Sequence, residues 1–520
     1  MLNQLPASGI FPLSAALSEM ETSNMGVELF TVLSPVMLVA AGALICIAAE
    51  AFLRVSAKHT LLPWIAAITL LAAAAALIPG LTTQVQSVAG ILVIESTRAW
   101  LQLAVLLSAL CGLAALQHGL RRSEAPSGEG YALMLLCTIG VMIMVQSSGY
   151  LALYIGLELA SLATYALIGI HRHRLESGEA LFKYLIMGAV FSAILAYGMA
   201  LTYGATGSIA YGYAPLEGRE HLFLLGQTLV ILGLLFKVGA VPVHTWAPDA
   251  YTGSSIGVAG FMAATMKVGA FVALAAVWLN ALAVLGEGAY RGPLSLGLTI
   301  PMGPELREAI GFLPLILLTV ALLSLLLGNF AALGQRCLRR LMAYSGIAHA
   351  GYLILGLALP TAVMGVYELW AVWYYVIAYG IAASGLMLAA AVMAAEGDGD
   401  DLHQLAGGAR RHPFAGIVAT LMLASLAGLP PTAGFLGKFF ILSDLVAKGE
   451  IILAVIAMLL AVVGAVYYLR LIVVLWSASD ASAHPRPAAR ICPLGVLALT
   501  IVTVALVLFM IFPSVIGAAA

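Results

Sequence analysis

The chain has 520 residues, of which 62% are hydrophobic and only 9% charged, with a formal net charge of −1. Its mean hydropathy is +1.06. A water-soluble fold of this length cannot hide so much apolar surface, and the near-neutral balance leaves no electrostatic footprint for a nucleic acid. The class that remains is an all-α polytopic membrane protein.

Residues 1–28 lack the basic start and short apolar core of a cleaved signal peptide and are expected to form an extracytoplasmic segment. Beyond them, apolar runs near twenty residues predict about fourteen spanning helices. They lie at 29–52, 61–80, 97–117, 131–149, 150–170, 179–205, 222–248, 255–282, 308–331, 338–358, 366–395, 412–446, 450–476 and 492–515. The fourth and fifth abut at Gly149/Tyr150. This divides the chain into helices 1–3 (29–130), a first block of five (helices 4–8, 131–282), a loop (283–307), a second block of five (helices 9–13, 308–476), and helix 14 with the C-terminus (477–520).

Lysine and arginine support the count. One set of alternate loops holds Arg54, Lys58, Arg121, Arg122, Arg172, Arg174, Arg336, Arg339, Arg340, Arg410, Arg411, Arg486 and Arg490. The other holds only Arg98, Arg219, Arg291, Arg307 and Lys448. The positive-inside rule places the first set in the cytoplasm and both termini outside. No polar stretch is long enough to house a nucleotide or redox cofactor. The five cysteines (Cys46, Cys111, Cys137, Cys337 and Cys492) have neither metal-ligand nor disulfide spacing.

The five basic residues outside these two loop sets, Lys183, Lys237, Lys267, Lys438 and Arg470, fall inside predicted spans, and so does Glu158. A charge at mid-helix costs about 2.5–3.5 kcal/mol on insertion scales, so each needs a partner, internal water or a function. Lys183 is close enough to its helix end to snorkel, and Arg470 is expected to contact carbonyls or lipid phosphate. Glu50 and Glu368, near span ends, are expected to be structural. Glu158, Lys237, Lys267 and Lys438 lie deep. Pro242 follows Lys237 in "FKVGAVPVHTWAPDAY", and Pro430–Pro431 precede Lys438 in "LAGLPPTAGFLGKFFIL". Each proline is expected to break its helix, at Lys438 freeing the carbonyls of Leu426 and Ala427. The broken helix is fourth in each block of five, and an odd block length inverts the second against the first. Inverted repeats with discontinuous helices are a transporter architecture.

Burial favours a neutral amine over an ammonium, and a nearby carboxylate reverses the preference. A Glu–Lys pair that parts and re-forms therefore switches proton affinity. Glu158 is the candidate partner of Lys237, with Lys267 and Lys438 as further carriers. His244 and Asp249 add titratable groups after the first break, and His349, in "YSGIAHAGYLILG", is placed to bridge the blocks. A lone buried histidine serves equally as a packing residue.

Six stretches resemble the antiporter-like subunits of bacterial NADH:quinone oxidoreductase, respiratory complex I: "LYIGLELASLATYAL", "ALFKYLIMGAVFSAILAYGMALTYGATGSI", "FKVGAVPVHTWAPDAY", "GNFAALGQRCLRRLMAYSGIAHAGYLILG", "LAGLPPTAGFLGKFFIL" and "AVYYLRLI". The resemblance runs from about Tyr150 to Trp476. Within the group, Lys438 followed by Phe439 and Phe440, the lysine in "MKVGAF", and the end of the chain after helix 14 are like subunit N. Subunit M carries a glutamate at the Lys438 position, and subunit L has a C-terminal lateral helix. The resemblance implies that Glu158 and Lys237 form the coupling pair of the first half-channel, that Lys267 lies on the central axis, and that Lys438 is the exit group; Lys183 also matches a lysine of the group. It implies a multi-pass protein of the bacterial inner membrane beside subunit M and the small membrane subunits, with FMN, iron–sulfur clusters and quinone in other subunits. Where relatives carry a Pro-x-Pro-like stretch after "WAPDAY", this chain has "TGSSIGVAGF". Two readings compete: an antiporter, hydrogenase or ferredoxin-linked membrane subunit, and a passive scaffold whose buried charges only hold helices together.

Overall fold

The structure is a computed structural model. It describes residues 25–81, 86–88, 91–120, 127–171, 173–285, 312–359, 361–363, 366–394, 401–477 and 492–515. The expected N-terminal segment and the 283–307 loop lie almost entirely outside these.

Three helices open the bundle: α1 (Met25–Phe52), α2 (Val55–Ala76) and α3 (Ser96–Leu120). A hairpin of strands Gln86–Val88 and Leu92–Ile94 connects α2 to α3. The first block comprises α4 (Ser127–Gln146), α5 (Tyr150–Ile168), α6 (Leu175–Thr206), the broken pair α7 (Glu220–Val238) and α8 (Trp246–Gly253), and the helix formed by α9 (Ile256–Phe261), a π-turn (Met262–Met266) and α10 (Lys267–Leu285). The second comprises α11 (Phe312–Leu333), α12 (Leu338–Ala358), α13 (Trp370–Met393), the broken pair α14 (Pro413–Ala427) and α15 (Ala433–Ala447), and α16 (Ile451–Trp476). A last helix, α17 (Pro493–Ile511), closes the chain order. A second hairpin (Thr361–Val363, Val366–Glu368) precedes α13, and Glu368 closes its second strand two residues before the helix begins at Trp370.

Thirteen helices among the described residues are long and apolar enough to cross a membrane. The fourteenth expected span is the α14–α15 pair, whose break leaves two helices of 15 residues each. The expected seam at Gly149/Tyr150 is a three-residue turn between Gln146 and Tyr150. The unusual "TGSSIGVAGF" still starts a helix: Ser255 caps α9 by accepting a bond from the Val258 amide.

The two blocks repeat one packing scheme. Helix α4 packs on α5 as α11 packs on α12, and α6 contacts both halves of its broken helix as α13 does. Helix α10 lies on α4 and α7 as α16 lies on α11 and α14. Small residues allow the tightest crossings. A Cβ added at Gly140 would lie 2.5 Å from the Gly156 carbonyl and 2.5 Å from the Ala160 amide. At Gly328 it would lie 2.9 Å from the Tyr344 carbonyl and 2.5 Å from the Ala348 amide. Positions 156 and 160 of α5 therefore match positions 344 and 348 of α12. By the same register Ser161 matches His349, and Glu158 matches Gly346.

Candidate functional site

Both broken helices end in the same way. Gly239 closes α7 and Gly428 closes α14 in the left-handed conformation, at φ +77° and +80°. A side chain there would be strained, which makes glycine the fitting residue. Three residues later each chain passes through a cis X-Pro bond, at Pro242 and Pro431. The second halves restart at Trp246 and Ala433, where Thr432 caps α15 by accepting from the Phe435 amide.

Lys237 occupies the last turn of α7 and is 6% exposed. Its ammonium donates to Ser161 Oγ at 2.7 Å, and Ser161 in turn donates to the Leu157 carbonyl. The rings of Tyr184, Tyr165 and Phe236 surround it at 5.3, 5.6 and 5.6 Å, a cation–π environment. Trp246, the first residue of α8, stacks on Tyr184 at 4.4 Å and donates its indole N–H to the Phe236 carbonyl. The cage thus ties together both halves of the broken helix.

Glu158, the candidate partner of Lys237, lies one turn earlier on α5 than Ser161; it is half-buried, its Oε1 is enclosed without a hydrogen-bond partner, and it faces Lys237 without a direct ion pair. Ser161 is the residue that touches the lysine. Asp249 is also engaged elsewhere, pairing at 2.9 Å with Lys183, which binds Glu179 at 2.7 Å on the exposed face of α6. His244 lies in the first break, half-buried, with no hydrogen bond to its Nδ1.

Lys267 follows the π-turn and is 3% exposed. Its ammonium lies 5.9 Å from the Tyr379 ring and packs against the bare Cα of Gly346. Gly346 is the α12 position that matches Glu158 of α5. Where the first block carries a carboxylate, the second carries no side chain, and Lys267 fills the space.

His349 occupies the centre. Its Nδ1 lies 2.6 Å from the Tyr375 hydroxyl and its Nε2 2.9 Å from that of Tyr468, which also bonds Ser345. Tyr379 lies against the imidazole at 4.7 Å, and Tyr375 meets Tyr352 edge-on at 6.3 Å. Lys438 lies 5.4 Å above the Tyr352 ring. Tyr379, His349, Tyr375 and Tyr352 thus form a continuous set between Lys267 and Lys438.

Lys438 is 6% exposed and donates to the carbonyls of Leu426 and Ala427 at 3.0 and 3.2 Å. These are the carbonyls expected to be freed by Pro430–Pro431. Arg470 donates to the Leu333 carbonyl, as its position suggested. Glu50 clamps two helix starts, holding Lys58 at 2.8 Å and the Gly128 amide at 2.7 Å. The five cysteines are free thiols.

The family model described as "NADH:quinone oxidoreductase/Mrp antiporter, TM" matches residues 147–289 and 295–464, more than half of the chain. NADH-quinone oxidoreductase subunit N of Parvibaculum lavamentivorans is 34% identical over 422 residues, covering 79% of this chain and 81% of the relative. Subunit N 2 of Acidobacterium capsulatum is 37% identical over 445 residues, covering 82% and 86%. A chain of respiratory complex I from Thermus thermophilus superposes with a TM-score of 0.74 at 28% identity, covering 94% of this chain and 99% of that one. A chain of the Mrp complex from Dietzia shares the fold, with a TM-score of 0.75 at 22% identity over 94% and 96%. With the buried lysines, the two broken helices and these relatives in agreement, the chain belongs to the NADH-quinone oxidoreductase subunit N family of antiporter-like membrane subunits.

Proposed function

We propose that the chain moves protons across the membrane as subunit N of a proton-translocating NADH:quinone oxidoreductase, through a relay of Glu158, Lys237, Lys267, His349 and Lys438. One observation carries this reading. Three lysines are buried at two helix breaks and one π-turn, and none of them forms an ion pair among the described residues. A structural charge is held by a fixed countercharge; a carrier must be able to lose its proton. Ser161 can accept from the ammonium of Lys237 or donate to its neutral amine, so the contact survives either protonation state. The two tyrosines give His349 the same freedom. Glu158 acts on Lys237 through space, and its departure or protonation alters the affinity of the lysine without breaking a bond.

The same reading places the protein in the bacterial inner membrane with both termini extracytoplasmic. Subunit M and the small membrane subunits are its neighbours, and FMN, iron–sulfur clusters and quinone belong to other subunits. The 131–282 and 308–476 blocks act as the two half-channels. Lys183, Asp249 and His244 line the cytoplasmic approach to the first.

The test is NADH-driven proton uptake by inverted membranes. Glu158→Gln is expected to abolish most uptake while native gels still show an assembled, NADH-oxidising complex. Full-rate pumping by assembled Lys237→Ala and Lys438→Ala complexes overturns the relay. Failed assembly of all three variants supports a scaffold instead.

A further inference from the structure

A second buried charged cluster lies away from the lysine row, at the end of the bundle bearing the arginine-poor loops. Glu95 immediately precedes α3 and is 3% exposed; Arg98, on the first turn, is 4% exposed. Their ion pair is loose: Arg98 Nε is 3.4 Å from Glu95 Oε1, and neither carboxylate oxygen accepts a hydrogen bond. A structural arginine–carboxylate pair closes with two parallel N–H···O bonds. Here Arg98 Nη1 is committed to the Ser147 carbonyl at 2.9 Å. The carboxylate can therefore take up a proton at the cost of this one loose contact to Arg98.

Polar groups continue inward from this pair. Ser147 and Ser148 form the turn between α4 and α5, and the Ser148 carbonyl accepts from the Tyr211 amide. Arg98 acts through space on Tyr211, whose buried hydroxyl lies beside the Ser147 side chain. Tyr211 meets Tyr150 edge-on at 4.8 Å. The Tyr150 hydroxyl accepts from Gln227 at 2.7 Å and from Asn280 at 2.8 Å. Gln227 also reaches Thr202 at 3.2 Å. Helix α7 carries both Gln227 and Lys237, ten residues apart, or about 15 Å along the axis. Sequence reasoning passed over Glu95 because it lies just outside a span.

We infer that Glu95 is a proton-exchanging carboxyl that serves the first block from the arginine-poor face, with Arg98 as its positioning residue and the Tyr211–Tyr150–Gln227–Asn280 chain behind it. Its cycle is simple. The carboxylate takes a proton from the protein interior, forming one O–H bond, and returns it to water at that face, leaving Arg98 as the countercharge of the empty state. Glu95 precedes the membrane-spanning segment of α3, and burial pushes its carboxyl up to about 7, with Arg98 pulling it back. Arg98 is the charged group acting on it among the described residues. Proton release therefore slows when that face is more acidic than about pH 7. The inference rests on the proton-carrying reading above.

The experiment uses the intact complex in proteoliposomes, with the arginine-poor face towards a lumen buffered on either side of about pH 7. Wild type is expected to lose pumping rate on the acid side. Glu95→Gln is expected to pump on the order of 100-fold slower, the low end of what a positioned proton-transfer group contributes, and to lose the acid limb. Glu95→Asp is expected to restore most of the rate with a shifted midpoint. If Glu95→Gln does not assemble, the Asp variant alone decides, and an unmoved midpoint overturns the inference. An assembled Glu95→Gln complex with wild-type rate and pH profile also overturns it. If Lys237→Ala abolishes pumping in that same series, only Glu95 has failed; if neither variant affects pumping, the relay has failed too.

Discussion

At the residue scale, the deep lysines were legible because a charge within an apolar run is costly and therefore conspicuous. Their partners were not. Serine inside a helix is unremarkable, and only the register of α5 against α7 brings Ser161 to Lys237, 76 positions away. Gly346 was invisible for the opposite reason: its role is to lack a side chain. Glu158 lies one turn from Ser161 on the same helix and acts on Lys237 through space, while Ser161 makes the direct contact. A hydrogen bond to a charged group contributes about 1.5–3 kcal/mol, so Ser161→Ala is expected to slow NADH-driven pumping roughly tenfold or more. Ser161→Thr, which keeps the hydroxyl, should retain most of the activity. Dye-quench assays on membranes with equal amounts of assembled complex read both. Equal rates for Ala and wild type mean that the lysine does not depend on this hydroxyl.

At the element scale, Pro242 and Pro430–Pro431 announced the two breaks because proline cannot continue a helix. The π-turn at Met262–Met266 carried no such signal: its residues are ordinary helix formers, and packing between α3 and α13 surrounds it. The second break is reinforced by side chains. Thr432 Oγ1 accepts from the Phe435 amide, and Ser425 Oγ accepts from the Gly434 amide at 3.0 Å. Removing an N-cap costs about 1 kcal/mol. Thr432→Val is therefore expected to speed amide exchange in the first turns of α15 roughly fivefold, leaving α14 unchanged. Unchanged protection in α15 would show that tertiary packing alone holds the restart.

At the scale of the whole molecule, thirteen helices among the described residues that are long enough to cross a membrane, with the broken α14–α15 pair, were readable from hydropathy and the alternation of basic loops. The common packing of the blocks was not, since it depends on helix–helix contacts and not on sequence likeness. The Gly140 and Gly328 crossings reveal it. An even number of crossings returns the chain to its starting side. Reporter enzymes fused after α17 are expected to be active only outside the cytoplasm, and those fused in the 395–412 connection only inside. The reverse pattern would invert every assignment of face made here, including that of Glu95.

The repeat register has one more consequence. Counted from Gly239 and Gly428, the counterpart of Lys237 is Leu426, and the counterpart of Lys438 is Asp249. The two lysines therefore do not occupy equivalent positions of the two blocks. Yet Lys237 lies in the last turn of α7, and Lys438 reaches back to the last carbonyls of α14. Each lysine is thus tied to the negative end of an upstream half-helix, Lys237 by its position in the last turn and Lys438 by its hydrogen bonds. The two blocks share this pole and supply the cation from opposite sides of the break. In this architecture kinship between halves is recorded in the backbone. The chemistry is free to migrate along it, and relatives whose lysines fail to align can still place a charge at the same point in space.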